Sequence, residues 1–141
     1  MKQYEYFPHT ADMRFRSYGR TLEEAFANAA LAMFNIMIET EKVSPRLEKK
    51  ISVRAKEKES LLFDFLGKFL FFLDSENFVL NKVVGIKIGK KEDDYFLEAV
   101  ALGDELSEKY ETKTQVKAIT YNEMQIMQEN GIWVINAVVD V

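Results

Sequence analysis

Residues 130–141, NGIWVINAVVDV, begin with a turn and continue as a strongly apolar strand. An Asn-Gly pair between two alternating segments is typical of a two-residue β-hairpin, because both residues tolerate a positive φ. We therefore expect the last two strands of the chain to be neighbours. Residues 132–141 are so apolar that they indicate a central strand buried on both faces.

Short β-branched and aromatic segments precede this hairpin and indicate that the second half of the chain is mostly sheet. They are residues 78–80, 83–88, 95–102, 116–121 and 124–128. Residues 90–94, KKEDD, predict a charged hairpin tip, and the polar residues 103–114 predict a surface loop.

The first half of the chain predicts two helices and three further strands. Thr21 and Glu24 form a capping box, and apolar residues at helical spacing then predict a helix over residues 21–38. A second apolar stripe predicts a buried helix over 59–74, and alternation predicts strands over 4–7, 13–18 and 47–55. The sequence therefore predicts a single α+β domain over residues 1–141. We expect a two-layer sandwich in which the two main helices pack on a mostly antiparallel, mixed β-sheet.

Charge and composition exclude several functions. The net charge of -4 and the pI near 5.2 disfavour nucleic-acid binding driven by phosphate neutralisation. The chain has no Cys and one histidine, His9, which argues against a zinc site and removes disulfides. It also lacks a P-loop and a Gly-x-Ser-x-Gly elbow. Neither a signal peptide nor a membrane span is indicated, so we expect a cytoplasmic protein.

Oxygen ligands are the remaining candidates for chemistry. Asp12 ends a polar loop between two aromatic strands, where it could cap backbone N–H groups or face a cation. Asp140 precedes Val141, whose α-carboxylate would lie beside it, although a charge at a strand end could equally serve solubility. If the first and last strands bring Asp12, Asp140 and Val141 together, a divalent cation such as Ca²⁺ would relieve their repulsion.

A second candidate is the segment KTQVKAITY at residues 113–121, in which Lys113 and Lys117 lie on either side of Val116. Four residues apart on a strand, the two lysines would share one face and could contact a phosphate or an acidic partner. The simpler interpretation is a solvated sheet face.

Several motifs resemble those of the archease family, the small protein activators of the RtcB-type tRNA-splicing ligase. The likeness spans nearly the whole chain. It rests on His9-Thr10-Ala11-Asp12 after an aromatic strand, on the alanine-rich helix at 21–38, on Val116-Lys117-Ala118-x-Thr120-Tyr121, and on the ending Val138-Val139-Asp140-Val141.

The resemblance implies a protein cofactor rather than an enzyme. Such a protein would promote guanylylation and multiple turnover of a ligase that joins 3′-phosphate or 2′,3′-cyclic-phosphate RNA ends to a 5′-hydroxyl, and would widen its choice of nucleotide triphosphate. It also implies a metal site at Asp12, Asp140 and Val141, with Ca²⁺ in the purified protein and Mn²⁺ or Mg²⁺ as cellular alternatives. The chain departs from the family pattern at Pro8, Tyr110 and Asn122, and the latter two are assigned no role.

Two other classes of function stay open at this point. An RNA-binding or chaperone module in tRNA processing would use Lys113, Lys117, Arg14 and Arg16, and its RNA affinity would fall steeply with salt. A metal-dependent hydrolase would hold its ion with Asp12 and Asp140 but would lack a second base or nucleophile.

Overall fold

The computed structural model describes residues 1–8 and 11–141, so His9 and Thr10 of the His-Thr-Ala-Asp motif lie outside the described residues. Two helices, seven strands and one 3-10 turn, at Thr40–Lys42, are present in this part of the chain. In chain order they are β1 (Tyr4–Pro8), β2 (Asp12–Gly19), α1 (Leu22–Met37), β3 (Leu47–Ala55), α2 (Lys58–Glu76), β4 (Phe78–Lys91), β5 (Asp94–Glu105), β6 (Ala118–Glu129) and β7 (Ile132–Asp140).

The strands form two antiparallel sheets. One sheet has the order β1-β2-β7-β6, and the other has the order β3-β5-β4. Helix α1 packs against β2, β7 and β4, and α2 packs against β6, β3 and β4, so both helices contact both sheets. The α+β class is confirmed. The described strands are all paired antiparallel, in two sheets rather than one mixed sheet.

The two predicted helices are confirmed within a few residues at each end. Thr21 Oγ1 accepts a hydrogen bond from the Glu24 N–H at 3.1 Å, which satisfies a donor that the first turn of α1 leaves unpaired. Phe65 and Phe69 of α2 lie at the centre of the core, with Phe26 and Phe34 of α1 against them at ring-centroid distances of 5.8 and 6.0 Å. None of the helices in the described residues is long and apolar enough to cross a membrane.

Strand β7 is a central strand, as its sequence predicts. It lies between β2 and β6, and its residues 134–139 are buried. Asn130 and Gly131 have φ angles of 52° and 77°, so the turn from β6 has the two positive φ values that its sequence predicts. Alternate side chains of β7 therefore face the helices or the opposite, outer surface of the sheet.

Three predicted boundaries in the second half are wrong. The paired segments at 78–80 and 83–88 are one strand, β4, which continues through irregular register. The predicted strands at 116–121 and 124–128 are likewise one strand, β6, which begins at Ala118 and whose register shifts between Thr120 and Gln125. The predicted loop at 103–114 begins later, because Gly103 and Asp104 are buried in β5. The hydrophobic alternation is interrupted in β4 and β6 by irregular strand register, and in β5 by the buried polar residue Asp104, and not by loops.

Candidate metal centre

Asp12 and Asp140 face each other across the β2–β7 pair. Asp12 is the first residue of β2 and Asp140 the last of β7, and the register places their Cα atoms directly opposite. Directly opposed side chains of an antiparallel pair point to the same face, with Cβ atoms about 4.5–5.5 Å apart. The sequence left open whether these carboxylates meet, and the register makes them neighbours.

Two backbone hydrogen bonds fix the residues around Asp140. The Lys117 N–H donates to the Asp140 carbonyl oxygen at 2.8 Å, and the Val141 N–H donates to the Ala11 carbonyl oxygen at 3.5 Å. The Val141 side chain packs on the core, whereas Asp140 is exposed on the outer face of the sheet. Val141 is thereby held beside Ala11, the residue before Asp12.

The donors at this corner suit a hard divalent cation. Carboxylate and backbone carbonyl oxygens are the ligands that Ca²⁺, Mg²⁺ and Mn²⁺ prefer. Among residues 1–8 and 11–141, no cluster of three or more His, Cys, Asp or Glu side chains could hold a metal ion. A cation here would bind the two aspartates and take its other oxygens from the backbone of Val141 and from water. The metal assignment of Asp12, Asp140 and Val141 stays a prediction.

Lys113 and Lys117 do not share a strand face, so that prediction is wrong. Both residues precede β6 and lie in the connection from β5. The Lys113 N–H donates to the Met37 carbonyl oxygen at the end of α1, whereas Lys117 is tied to Asp140. Residues 113–117 are not part of a strand, because their backbone hydrogen bonds go to the end of α1 and to the end of β7. His9, for which no role is predicted, lies outside the described residues.

The buried carboxylate of Asp104 is a feature that sequence reasoning missed. Asp104 is only 1% exposed, and its Oδ1 accepts hydrogen bonds from Arg46 Nε and Nη2 at 3.0 and 2.8 Å. Its Oδ2 accepts from the Tyr110 hydroxyl at 2.6 Å and pairs with Lys109 Nζ at 3.2 Å. The Tyr110 hydroxyl also accepts from the Ser44 N–H at 3.0 Å.

Tyr110 therefore has a structural role, although its sequence position suggested none. Its hydroxyl holds the connection after β5 to the segment before β3, and the far end of that connection reaches Asp140. The hydrogen bond from Tyr110 is the main cause that lowers the pKa of Asp104 well below its ordinary value, helped by the Glu105 N–H, Arg46 and Lys109.

This depressed pKa predicts acid sensitivity. The contribution of Asp104 to the free energy of unfolding is fully present above about pH 4, the carboxyl pKa of an unfolded chain, and is lost as pH falls further. Tyr110→Phe should lower the free energy of unfolding at pH 7 by about 1–2 kcal/mol and weaken its dependence on pH below 4. Denaturant unfolding from pH 7 to pH 3 checks both, with Tyr121→Phe, at an exposed tyrosine, as control. Equal losses in the two variants would contradict the role of the Tyr110 hydroxyl.

Asp12 also begins a row of charged side chains on the outer face of β2. Arg14 and Arg16 follow it at alternate positions, opposite Val138 and Asn136 of β7. The other face of β2 carries Phe15 and Ser17, which are fully buried. The corner that holds the two aspartates is thus continuous with an outer face that carries two arginines.

Fold and site together define a small α+β domain with a facing pair of aspartates at one corner of its larger sheet, and comparison with known proteins identifies the group to which it belongs. The model of the Archease protein family matches residues 4–141. The chain belongs to the archease family.

Individual relatives agree with this assignment. The archease of Methanosarcina mazei is 40% identical over 141 residues, covering 99% of this chain and 97% of that protein. The archease of Thermococcus gammatolerans is 42% identical over 142 residues, covering 99% of each.

Solved structures agree as well. The solution structure of a Methanobacterium thermoautotrophicum protein has a TM-score of 0.87 and 37% identity and covers 100% of both chains. A Thermotoga maritima archease described as a possible chaperone has a TM-score of 0.58, covering 96% of this chain and 94% of that one. At 21% identity it supports the fold alone.

Proposed function

We propose that this protein is a metal-binding, non-catalytic cofactor that activates an RtcB-type tRNA-splicing ligase through protein contact. Membership of the archease family supports the role of activator. The observation that carries the proposal is the β2–β7 register, which sets Asp12 opposite Asp140. In this role the protein promotes guanylylation and multiple turnover of a ligase that joins 3′-phosphate or 2′,3′-cyclic-phosphate ends to 5′-hydroxyl RNA.

The proposed metal ligands are Asp12, Asp140 and Val141. A bound divalent cation would neutralise the paired carboxylates and leave open positions for oxygens of a partner or its nucleotide. This chain's own contribution is to hold the two carboxylates on one rigid face, because β2 and β7 are both interior strands of their sheet. We propose Ca²⁺ for the purified protein and Mn²⁺ or Mg²⁺ for the cell.

An RNA-binding or chaperone module is the alternative. The related Thermotoga protein is described as a possible chaperone, and Arg14 and Arg16 offer positive charge on one face. The overall charge of -4 opposes phosphate binding along an extended strand. Filter binding separates the two proposals, since the alternative requires retention of unmodified RNA that falls steeply with salt.

A ligation assay with the cognate ligase tests the proposed function. We expect this protein to have little effect when the ligase is in excess over RNA and to raise product severalfold beyond one equivalent when RNA is in excess. That pattern holds for a ligase that is guanylylated before the assay, because an activator of guanylylation then matters only after the first turnover. Unchanged product in the excess-RNA reaction, with Mn²⁺ present, would contradict the proposal.

A further inference from the structure

Two arginine side chains are held together on the outer face of β2, beside the aspartate pair. The Arg14 and Arg16 guanidinium carbons lie 5.4 and 5.6 Å from the centroid of the Phe7 ring. Stacking on one aromatic ring restricts both planar cations and brings them to the same place. The two guanidinium groups together attract anions. Glu5, opposite Arg16 on β1, lies within their field but accepts its hydrogen bonds from Lys2 and Tyr18.

Arg16 is oriented by a hydrogen-bonded chain of amides. Its Nε donates to Asn136 Oδ1 at 2.8 Å, and Asn136 Nδ2 donates to Gln125 Oε1 at 3.2 Å. Asn136 is buried, with 8% of its surface exposed, so it fixes the edge of the guanidinium that carries Nε. Within the part of the chain that the structure describes, no hydrogen bond uses the two terminal nitrogens of Arg16.

A carboxylate of the same chain already occupies part of this positive field. Glu123 Oε1 lies 3.2 Å from Arg14 Nη1, and the Glu123 side chain is 66% exposed. Glu123 has a φ of 53° and lies in the irregular part of β6 between Thr120 and Gln125. A left-handed conformation at a non-glycine residue costs about 1–3 kcal/mol, so the bulge that places Glu123 over Arg14 is maintained against strain.

Open space surrounds these groups. A cavity of about 230 Å³ is lined by Arg14, Arg16, Glu123, Gln125 and Asn136. A second cavity, of about 290 Å³, shares Arg14 and Glu123 with the first and extends to Asp12. Each is several times the roughly 30 Å³ that a water molecule occupies. The two form a groove along the outer face, from Asn136 to the aspartate corner.

We propose that this groove binds the dianionic phosphate of a phosphomonoester, with Arg14 and Arg16 as its ligands and Glu123 as an internal competitor that the phosphate displaces. Two adjacent guanidinium groups match a dianion with three free oxygens better than a carboxylate, which brings one charge. Exposed ion pairs contribute little, so displacing Glu123 from Arg14 is readily offset. The proposal deepens the proposed function, because the groove opens at Asp12, yet phosphate binding through arginine does not require the metal.

The site is tested by titrating the full chain with inorganic phosphate in the presence of EDTA. Nitrogen–proton correlation NMR spectra monitor the binding. Binding should be saturable and should shift the Arg16 Nε–H resonance, which is protected by Asn136. Arg14→Gln and Arg16→Gln should each weaken binding at least about tenfold, and Glu123→Gln should tighten it about two- to fivefold. Arg20→Gln and Glu129→Gln, at exposed positions away from the groove, are controls matched in charge and should leave the affinity unchanged.

Several results would overturn the proposal. They are competition by acetate as strong as that of phosphate, equal weakening by Arg20→Gln, and unchanged affinity in Glu123→Gln. Because EDTA removes any bound cation, phosphate binding measured this way can succeed or fail independently of ligase activation.

Two oligoribonucleotides, ending in a 3′-phosphate or a 3′-hydroxyl, identify the source of the phosphate. Preference for the phosphate end supports an RNA terminus. Binding of inorganic phosphate but of neither oligonucleotide supports a free phosphate compound. Equal binding of both would contradict selection of a terminal phosphate.

Discussion

Asp12→Asn and Asp140→Asn are expected to fold normally and to abolish stimulation of multiple-turnover ligation. Each change removes one negative charge from the facing pair while keeping the size of the side chain, so the β2–β7 ladder is undisturbed. A neutral amide is a poorer ligand for a hard cation, and each variant should bind Ca²⁺ or Mn²⁺ about 10- to 100-fold more weakly than the unmodified chain. Calorimetric titration with the metal and the excess-RNA ligation assay measure the two effects.

The matched control is Asp93→Asn, at an exposed aspartate in the turn between β4 and β5. It changes the net charge by the same amount and should leave both metal affinity and stimulation unchanged. Full stimulation by Asp12→Asn and Asp140→Asn would remove the metal from the mechanism. Loss of stimulation with unchanged metal affinity would show instead that the carboxylates contact the ligase directly.

Gly103→Ala is expected to destabilise the protein strongly, although it adds only one methyl group. A Cβ at Gly103 would lie 1.9 Å from the Val79 carbonyl oxygen and 2.7 Å from the Phe78 ring. Neither group can move freely, because the first belongs to the backbone of β4 and the second is buried. The free energy of unfolding should fall by about 3 kcal/mol, measured by denaturant unfolding.

Gly67→Ala provides the opposite control. Gly67 lies inside α2, and a Cβ there would meet no atom within 4 Å. Alanine is favoured over glycine inside a helix by about 0.5–1 kcal/mol, so this variant should be slightly more stable than the unmodified chain. Equal destabilisation by the two substitutions would contradict the packing argument at Gly103.

Local signals predicted the elements well. The Thr21 cap, the apolar stripe of α2 and the Asn130-Gly131 turn each depend on residues a few positions apart, and the structure contains all three. The division into two sheets was not predictable in this way, because strand partners are chosen by contacts between residues far apart in sequence. The bulge at 121–124 was interpreted as a break between strands for the same reason.

In the candidate site, too, the residues could be predicted from local sequence but their spatial arrangement could not. Asp12, Asp140 and Val141 could be named from the sequence, but only the register of β2 with β7 sets the two aspartates side by side. The buried Asp104 was missed because its partners, Arg46 and Tyr110, are 58 and 6 positions away and neither spacing belongs to a local motif. The available indication was a charged residue two positions after the predicted apolar strand at 95–102.

The alternation along β2 restricts how relatives of this chain can change in length. Asp12, Arg14 and Arg16 point one way, and Phe15 and Ser17 point the other way into the core. Inserting a single residue among them would reverse every following side chain, burying charge and exposing phenylalanine. Insertions and deletions inside this strand must therefore come in pairs of residues, since only an even number preserves the alternation.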